Sequence, residues 1–511
     1  VTGSGKTEVY IRAMRNALEQ GKTALMLVPE IALTPVFSRR LRSVFGDLVA
    51  IIHSSLSTGE RFDEWQRIRK SEAKVVIGTR SAVFAPLSNL GVIVIDEEHD
   101  SSYRQHESPF YNGRDLAIVR ANLANAVVVL GSATPALETF YNARNGRYSL
   151  LKLPNRIGEA KLPTSEVLDL RQIEKTEPYD LILSPPLRKE MSATLSRGEQ
   201  IILLLNRRGF SQFVLCRSCG EAIKCENCDI TLTYHMNAQM LVCHYCDMRK
   251  PKPETCPKCE SAFLYYLGEG TEQIESLIEE YFPNAKLARV DRDSTSRKHQ
   301  LEETLDSFAK GEIDILIGTQ MLAKGHDFPN VTLVGVISAD ISLSLPDFRA
   351  GERTFQLITQ VSGRAGRGDR AGKVLIQTFY PNNYVLEHAK NHDFLGFYER
   401  EIKFRERLFY PPFVALSVVH AKHPNFAHAF ENASKLIELI KLNPDSKRCI
   451  VLGPARAPIE RLRGEHRLQI IVKSRSKALL RRVLGKALAD AKRSGCDMQT
   501  FSLEVDPVSL L

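Results

Sequence analysis

Val92-Ile93-Val94-Ile95-Asp96-Glu97-Glu98-His99 decides the fold: a short apolar run breaks off into three carboxylates and an imidazole. The apolar part is continuous rather than alternating, as in a parallel strand covered by helices on both faces. Strands of that kind place their chemistry just beyond their C-terminal ends. Outward from it, residues 24–28, 75–78 and 126–131 repeat the pattern, separated by amphipathic helical stretches, so residues 1–150 read as one α/β unit.

The same unit opens with Val1-Thr2-Gly3-Ser4-Gly5-Lys6-Thr7, the end of a Gly-x-x-x-x-Gly-Lys-Ser/Thr loop whose first glycine would lie before Val1. Glycines let backbone N–H groups close around phosphate oxygens, Lys6 reaches the β- and γ-phosphates, and the Thr7 hydroxyl ligates Mg²⁺. Gly3, Ser4, Gly5, Lys6, Thr7 and Glu8 are thus the candidate nucleotide-binding residues. Asp96 is placed to hold Mg²⁺, and Glu97 to orient or deprotonate the attacking water. Far downstream, Gln360-Val-Ser-Gly363-Arg364-Ala-Gly366-Arg367 offers Gln360 to the nucleotide and two guanidinium groups to the γ-phosphate once two lobes close. Each cluster has a bland reading alone: a Gly-rich turn, a solvated acidic loop, surface charge. Their co-occurrence argues for one ATP site. With no initiating Met and no signal-like segment, the chain reads as a fragment lacking an N-terminal portion.

Composition bounds the alternatives. Among 511 residues, 43% are hydrophobic and 25% charged, which excludes collagen-like, coiled-coil and wholly disordered chains. Charges or prolines interrupt every apolar run well short of a membrane span, so no membrane association is expected. The formal charge is +9, and the stretch from Arg456 to Arg493 supplies all of it, with twelve Lys/Arg against Glu460, Glu465 and Asp490. Eight of the ten cysteines lie between Cys216 and Cys259 in four Cys-x-x-Cys pairs, while Cys449 and Cys496 stand alone. Such pairs in a signal-free chain favour metal thiolates in a reducing compartment, hence a cytoplasmic location.

Beyond residue 150, a Pro-rich passage over 153–186 reads as a connector. A second α/β unit starts at residues 200–206, is broken by the cysteines, and resumes from 262 to about 395 with strands expected at 286–290, 313–317, 333–338 and 373–379. After Tyr410-Pro411-Pro412 a last unit carries expected strands at 414–421, 449–452 and 468–472. The expected units are therefore 1–150, 151–212, 213–262, 263–400 and 401–511.

The three clusters stand in the order found in superfamily 2 helicases, and further stretches fill the gaps. Leu27-Val28-Pro29-Glu30-Ile31-Ala32-Leu33-Thr34-Pro35 resembles motif Ia, Gly131-Ser132-Ala133-Thr134-Pro135 motif III, and Asp314 to Met321 with Lys324-Gly325-His326-Asp327-Phe328 motif V. With the eight-cysteine insertion and Gly268-Glu269-Gly270-Thr271-Glu272, the chain resembles, over essentially its whole length, the PriA (primosomal protein N′) family of bacterial replication restart helicases. The resemblance implies an α/β protein with two RecA-like helicase lobes, a zinc-binding cysteine-rich insertion in the second, and a small α+β C-terminal domain. It implies ATP, Mg²⁺ and two Zn²⁺ as cofactors, and Lys6, Asp96, Glu97, Arg364 and Arg367 as catalytic residues. The implied activity is 3′ to 5′ unwinding of stalled or branched forks and promotion of primosome assembly. Implied partners are branched and single-stranded DNA, primosome proteins, the replicative-helicase loader and single-stranded DNA-binding protein, with the chain a monomer. Family members also carry an N-terminal DNA-binding region and a winged-helix domain, which this fragment would lack. The competing readings are a fork-binding scaffold with an incidental ATPase, and an RNA helicase.

The cysteine pairs are Cys216/Cys219, Cys225/Cys228, Cys243/Cys246 and Cys256/Cys259. Four thiolates close one tetrahedral structural zinc site, so eight imply two sites and no open catalytic position. Three pairings of the pairs are possible. The nested one, Cys225/Cys228 with Cys243/Cys246 and Cys216/Cys219 with Cys256/Cys259, leaves room for a hairpin and is the one the resemblance supports. Lys224, His235, His244, Tyr245, Arg249, Lys250 and Lys252 give the insertion a basic, aromatic surface that suits strand separation or partner docking.

DNA contacts are expected in two further places. In the loop Ser102-Tyr103-Arg104-Gln105-His106 to Phe110-Tyr111, aromatic faces can stack on bases beside Arg104. In the basic C-terminal unit, Arg461, Arg463 and Arg467 lie near glycines, accessible to phosphates. Lys324 of motif V is expected to grip the strand.

Overall fold

The computed structural model describes residues 3–29, 35–54, 56–105, 107, 109–156, 162–174, 179–205, 213–235, 239–267, 273–290, 300–319, 328–366 and 370–510. The first lobe is a parallel sheet of β1 (Thr23–Leu27), β2 (Val49–Ile52), β3 (Val75–Gly78), β4 (Leu90–Ile95) and β5 (Val127–Leu130), in the order β2-β3-β1-β4-β5. Successive side chains of a strand enter different cores: Leu25 and Leu27 join Ile93 and Ile95 on one face, Ala24 and Met26 join Val92 and Val94 on the other. Two-sided burial is why β1 to β4 are unbroken apolar runs, whereas β5, at the edge, is as apolar but only partly covered, with Val127 exposed. The sequence reading missed β2, four residues long and inconspicuous at the edge of the sheet.

The second lobe begins with β6 (Thr164–Asp169) and β7 (Gln200–Leu204). The cysteine-rich insertion follows, with β8 (Phe213–Cys216), β9 (Thr233–His235), β10 (Met240–Val242), β11 (Arg249–Pro251) and β12 (Leu264–Leu267) in one sheet, β11-β10-β9-β8-β12. The lobe resumes with β13 (Leu287–Val290), β14 (Ile315–Gly318), β15 (Val331–Val336) and β16 (Lys373–Thr378), giving β13-β14-β7-β15-β16-β6. Three expected borders move. The supposed connector holds β6, an edge strand paired in parallel with β16; its alternating burial hid it from a search for continuous apolar runs. The insertion runs past 262, because β12 pairs with β8. Helix Phe394–Arg407 crosses the border set at 400, since Phe397 and Tyr398 belong to the second lobe's core.

The last domain is an antiparallel sheet of β17 (Ala415–His423), β18 (Cys449–Leu462), β19 (Glu465–Ser474) and β20 (Phe501–Val505), ordered β18-β19-β17-β20. Helices Phe426–Leu442 and Lys477–Arg493 cover one face through Leu436, Ile440, Leu480 and Val483. The other face lays Leu416, Val418 and Ile471 against Val214, Ile230, Leu232 and Leu241 of the insertion. No helix among the described residues is long and apolar enough to cross a membrane.

Candidate functional site

The phosphate loop is shaped by backbone that only glycine adopts freely. Gly3 and Gly5 have φ of 77° and 86°. Gly5 then starts helix Lys6–Glu19, whose first turn has no side-chain cap and so leaves backbone N–H groups for an anion. Ser4 is buried there, its Oγ without a hydrogen-bond partner among the described residues. Lys6 Nζ donates to Glu97 Oε1 at 3.0 Å, while Glu97 Oε2 is buried, 3.7 Å from His99 Nδ1 and without a hydrogen bond among the described residues. A cationic loop, uncapped amides and orphaned oxygens fit a nucleotide triphosphate with its Mg²⁺; Lys6, Thr7 and Asp96 are the residues that would hold them.

Strand β4 delivers Asp96 and then turns sharply, with Glu97 at a φ of 43°. A left-handed non-glycine residue costs on the order of 1 kcal/mol and is a common mark of functional sites. Here the turn aims the Glu97 carboxylate at Lys6. Tyr10, one helical turn after Lys6, donates its hydroxyl to Asp96 Oδ1 at 2.9 Å. That approach requires Gly131, because a Cβ there would overlap the Tyr10 ring and hydroxyl. The Tyr103 hydroxyl reaches the Leu27 carbonyl at 3.0 Å and the Asp96 carbonyl at 2.6 Å from the other side. Burial, with the Glu97 charge, raises the Asp96 carboxyl to about 6. Burial would raise Glu97 too, but the Lys6 and Arg364 charges and the Lys6 hydrogen bond outweigh it and hold that carboxyl below its ordinary range. The two neighbouring carboxylates are therefore driven apart.

The second lobe closes this cleft. Gln360 Nε2 lies 2.7 Å from His99 Nε2, and His99 Nδ1 lies 2.8 Å from Ser132 Oγ. With Nε2 accepting from the Gln360 amide, Nδ1–H donates to Ser132, a tautomer assigned from its partners. Arg364 is near enough to act on Glu97. Behind the cleft, Glu98 accepts from Ala136 N, Thr139 Oγ1 and Arg114. Leu137 N donates to Glu352 of the second lobe at 2.9 Å, and Glu352 pairs with the buried Arg405 at 2.7 Å. Arg405 and Arg349 also meet Glu138, which they hold at about 2 against the opposing effect of burial.

Several expected site residues sit elsewhere. Glu8 pairs with Arg12 on the exposed side of its helix, away from the loop. Tyr103 is buried against Asp96 rather than open for stacking. Arg104, also buried, pairs with Glu504 of β20, so this loop docks on the C-terminal domain. Arg463 stands at the exposed β18–β19 turn, 3.9 Å from Glu107, with Arg461 exposed beside it and Arg467 half-buried farther along β19. Arg367, Lys324, Glu30 to Thr34, His106, Gln320 to Asp327 and Gly268 to Glu272 lie outside the described residues. Tyr10, His99, Gly131, Glu138, Glu352 and Arg405 were not assigned roles from sequence. Tyr10 had a signal in its spacing of four from Lys6 on one helix face, and His99 and Gly131 had one in the motifs that contain them.

The eight insertion cysteines gather into two groups, Cys216, Cys219, Cys256, Cys259 and Cys225, Cys228, Cys243, Cys246, which is the nested arrangement. The Sγ separations of Cys216–Cys259, Cys219–Cys256 and Cys225–Cys246 are 3.6, 3.7 and 3.7 Å. A disulfide needs about 2.05 Å, whereas a tetrahedron with Zn–S of about 2.3 Å has edges of about 3.8 Å. The geometry fits zinc. Gly220 in the outer knuckle has a φ of 76°, and a Cβ there would strike the Phe379 carbonyl, so the knuckle rests directly on the second lobe's backbone. The expected basic, aromatic outer surface is partly interior. His244 and Tyr245 are fully buried: His244 Nδ1 is 2.8 Å from the Arg456 carbonyl, and Tyr245 OH accepts from Phe348 N at 3.3 Å.

Family models agree with this architecture. The DEAD/DEAH box helicase family matches residues 1–142, the helicase conserved C-terminal domain 264–369, the PriA DNA helicase Cys-rich region domain 225–251, and the primosomal protein N C-terminal domain 406–508. The replication restart protein PriA of Bacillus subtilis is 46% identical over 495 residues, covering 96% of this chain and 61% of that protein. The Synechocystis protein of the same name is 42% identical, covering 93% of this chain and 58% of its own length. That of Haemophilus influenzae is 42% identical, covering 100% and 69%. The chain thus spans about six tenths of the length of the first two.

Proposed function

This chain belongs to the PriA family of replication restart proteins, and on that premise we propose that it is the motor portion of an ATP-dependent, 3′ to 5′ DNA helicase acting at stalled or branched forks. The observation that carries this reading is the reach of second-lobe residues into the first: Gln360 to His99, and Arg364 to Glu97. A cleft completed by both lobes lets nucleotide turnover open and close them, the motion a translocase needs.

The residues divide the chemistry among themselves. Lys6, held in the ground state by Glu97, transfers to the γ-phosphate and frees that carboxylate. Glu97 orients water and takes its proton as the water oxygen bonds to the γ-phosphorus and the bond to ADP breaks. Arg364, with Arg367, meets the charge that develops on the transferred group. Bound Mg²⁺ neutralises phosphate charge, and Asp96 and Thr7 position it. Two Zn²⁺, held by the cysteine groups, keep the insertion folded. The expected partners are branched and single-stranded DNA, primosome proteins, the replicative-helicase loader and single-stranded DNA-binding protein. Primosome assembly, a cytoplasmic setting and action as a monomer belong to the same reading.

Strand displacement on a labelled forked duplex, with and without ATP, tests it. ATP-dependent release of the strand is the expected result. Tight fork binding with no ATP-dependent release would replace the motor by a scaffold.

A further inference from the structure

A strand-to-helix turn in the C-terminal domain carries two imidazoles at a spacing that suits a metal. His423 is the last residue of β17, and His428 lies in the first turn of helix Phe426–Leu442, with four residues between them. Paired histidine ligands of structural zinc are typically separated by about three to five residues. Alternation along β17 turns His423 to the helix-covered face, beyond Val419 and Ala421. Its ring lies 4.2 Å from that of His428, centroid to centroid. Asp497, in the loop between helix Lys477–Arg493 and β20, brings a carboxylate oxygen to 3.7 Å from His428 Nε2. One potential ligand atom from each of the three residues falls within 4.8 Å of the others.

These side chains are held from behind. The Asn425 side chain accepts from His428 N at 3.3 Å, and the Asn425 carbonyl lies 3.2 Å from His423 Nδ1. With Nδ1–H donated to that carbonyl, His423 keeps a lone pair on Nε2, the outer-shell arrangement usual for metal-bound imidazole. In the other tautomer Nδ1 accepts from Asn425 N at 3.0 Å. Asn432 is buried and ties the two remaining segments together: its amide nitrogen donates to the His428 carbonyl at 2.9 Å, and its oxygen accepts from Asp497 N at 3.0 Å. Asp497 Oδ1 accepts from Gln499 N and Oδ2 from Thr500 Oγ1, which orients the carboxylate. The 3.7 Å between His428 and Asp497 is long for a hydrogen bond. It is a small rotation from the edge of about 3.3 Å in a tetrahedron with Zn–N of about 2.05 Å.

We propose that His423, His428 and Asp497 form a metal site separate from the two cysteine groups, for a zinc-class divalent cation with water in the fourth position. Two imidazoles and a carboxylate suit Zn²⁺ over Mg²⁺ and Ca²⁺, which prefer oxygen throughout. The His428 and Asp497 side chains are 40% and 39% exposed, so the ion enters from solvent and exchanges, unlike one enclosed by four thiolates. The place of the site indicates what the ion does. The β17–β20 ladder ends at Ala421 opposite Phe501. Beyond that pair the metal fastens the end of β17 to the segment leading into β20, the strand whose Glu504 receives Arg104 from the first lobe.

The test takes the full chain, dialysed until only its cysteine-bound zinc remains by metal analysis, and titrates it with ZnCl₂ in a non-coordinating buffer under calorimetry. One further equivalent should bind in the micromolar range and raise the melting temperature. His428→Ala and Asp497→Asn should each weaken that step at least about tenfold and remove the thermal gain, while the cysteine-bound zinc stays at the parent's level. His466→Gln is the control. His466 lies directly opposite His423 on the same face but outside the ligand group, and this variant should titrate as the parent does. A merely structural role for the cluster would lower the melting temperature of the ligand variants without added metal and leave the further equivalent intact, which overturns the site. So does the absence of a further equivalent, uptake that requires millimolar zinc, or a loss in His466→Gln equal to that in His428→Ala.

Discussion

The nucleotide cleft and the cysteine-rich insertion both hold charge in low-dielectric surroundings, and they solve that problem differently. The cleft sets carboxylates against cations from distant parts of the chain, Lys6 against Glu97 and Arg364 from across the lobes, and leaves Glu97 Oε2 without a hydrogen bond among the described residues. The insertion gathers eight thiols within 44 residues into two closed shells with spacing set by a metal tetrahedron. A closed shell is a structural device with nothing left to react; an incomplete one is poised to take up substrate. Damage to the insertion should thus appear in stability and damage to the cleft in rate.

The largest expected effect breaks the insertion. Cys228→Ser should reduce bound zinc from two equivalents to one by metal analysis. It should also unfold the inner knuckle, since structural zinc contributes on the order of 10 kcal/mol to a knuckle's folding. Because Cys225, Cys228 and Cys243 sit in the same core as Leu416 and Ile471, the C-terminal domain should lose protection in hydrogen exchange as well. Preserved protection there would separate the two regions and weaken the comparison. Next comes Lys6→Ala, expected to cut DNA-stimulated ATP hydrolysis about a thousandfold, or about 4 kcal/mol, while DNA binding and melting temperature stay close to those of the parent. Gln360→Ala, which removes the bond to His99, should lower turnover about tenfold with little change in stability.

The smallest effect is one of pH. With the metal-free Asp96 carboxyl raised to about 6, Mg²⁺ must displace a proton to bind there at lower pH, so the Mg²⁺ concentration that gives half-maximal hydrolysis should rise, by up to about tenfold per unit, as pH drops below 6. The sign for stability is opposite. A folded-state carboxyl raised above its ordinary range favours folding most at low pH and loses that contribution as pH rises through 6. Asp96→Asn should therefore flatten the dependence of stability on pH between about 4 and 6. An unaltered slope would place the raised proton affinity elsewhere.

Much of this was legible in local pattern. Two-sided burial wrote β1, β3 and β4 as unbroken apolar runs, the phosphate loop and acidic strand end follow from short-range chemistry, and the nested cysteine groups follow from spacing and family resemblance. What escaped depends on long-range contact. Strand β6, open on one face, alternates and so resembled a connector. Tyr103 and Arg104 read as exposed DNA contacts because nothing nearby in sequence announces Asp96 or Glu504 as their partners. His244 and Tyr245 looked like surface until strands nearly two hundred residues or more away covered them. The Glu138–Arg349–Arg405–Glu352 network joins three helices far apart in sequence, Arg349 and Glu352 both lying at the start of one of them, and no spacing rule links the three.

The packing of the insertion on the C-terminal sheet also sets an order of events at the ribosome. Tyr410 bonds the Cys228 carbonyl across 182 positions, and Gln469 bonds the His244 carbonyl across 225. At about 5–20 residues per second, the knuckle's greasy side leaves the exit tunnel roughly ten to forty-five seconds before the strands that will shield it. Nascent chains must carry that sticky patch uncovered until those later strands have been made, a window in which a chaperone, or early capture of zinc, decides between maturation and clumping.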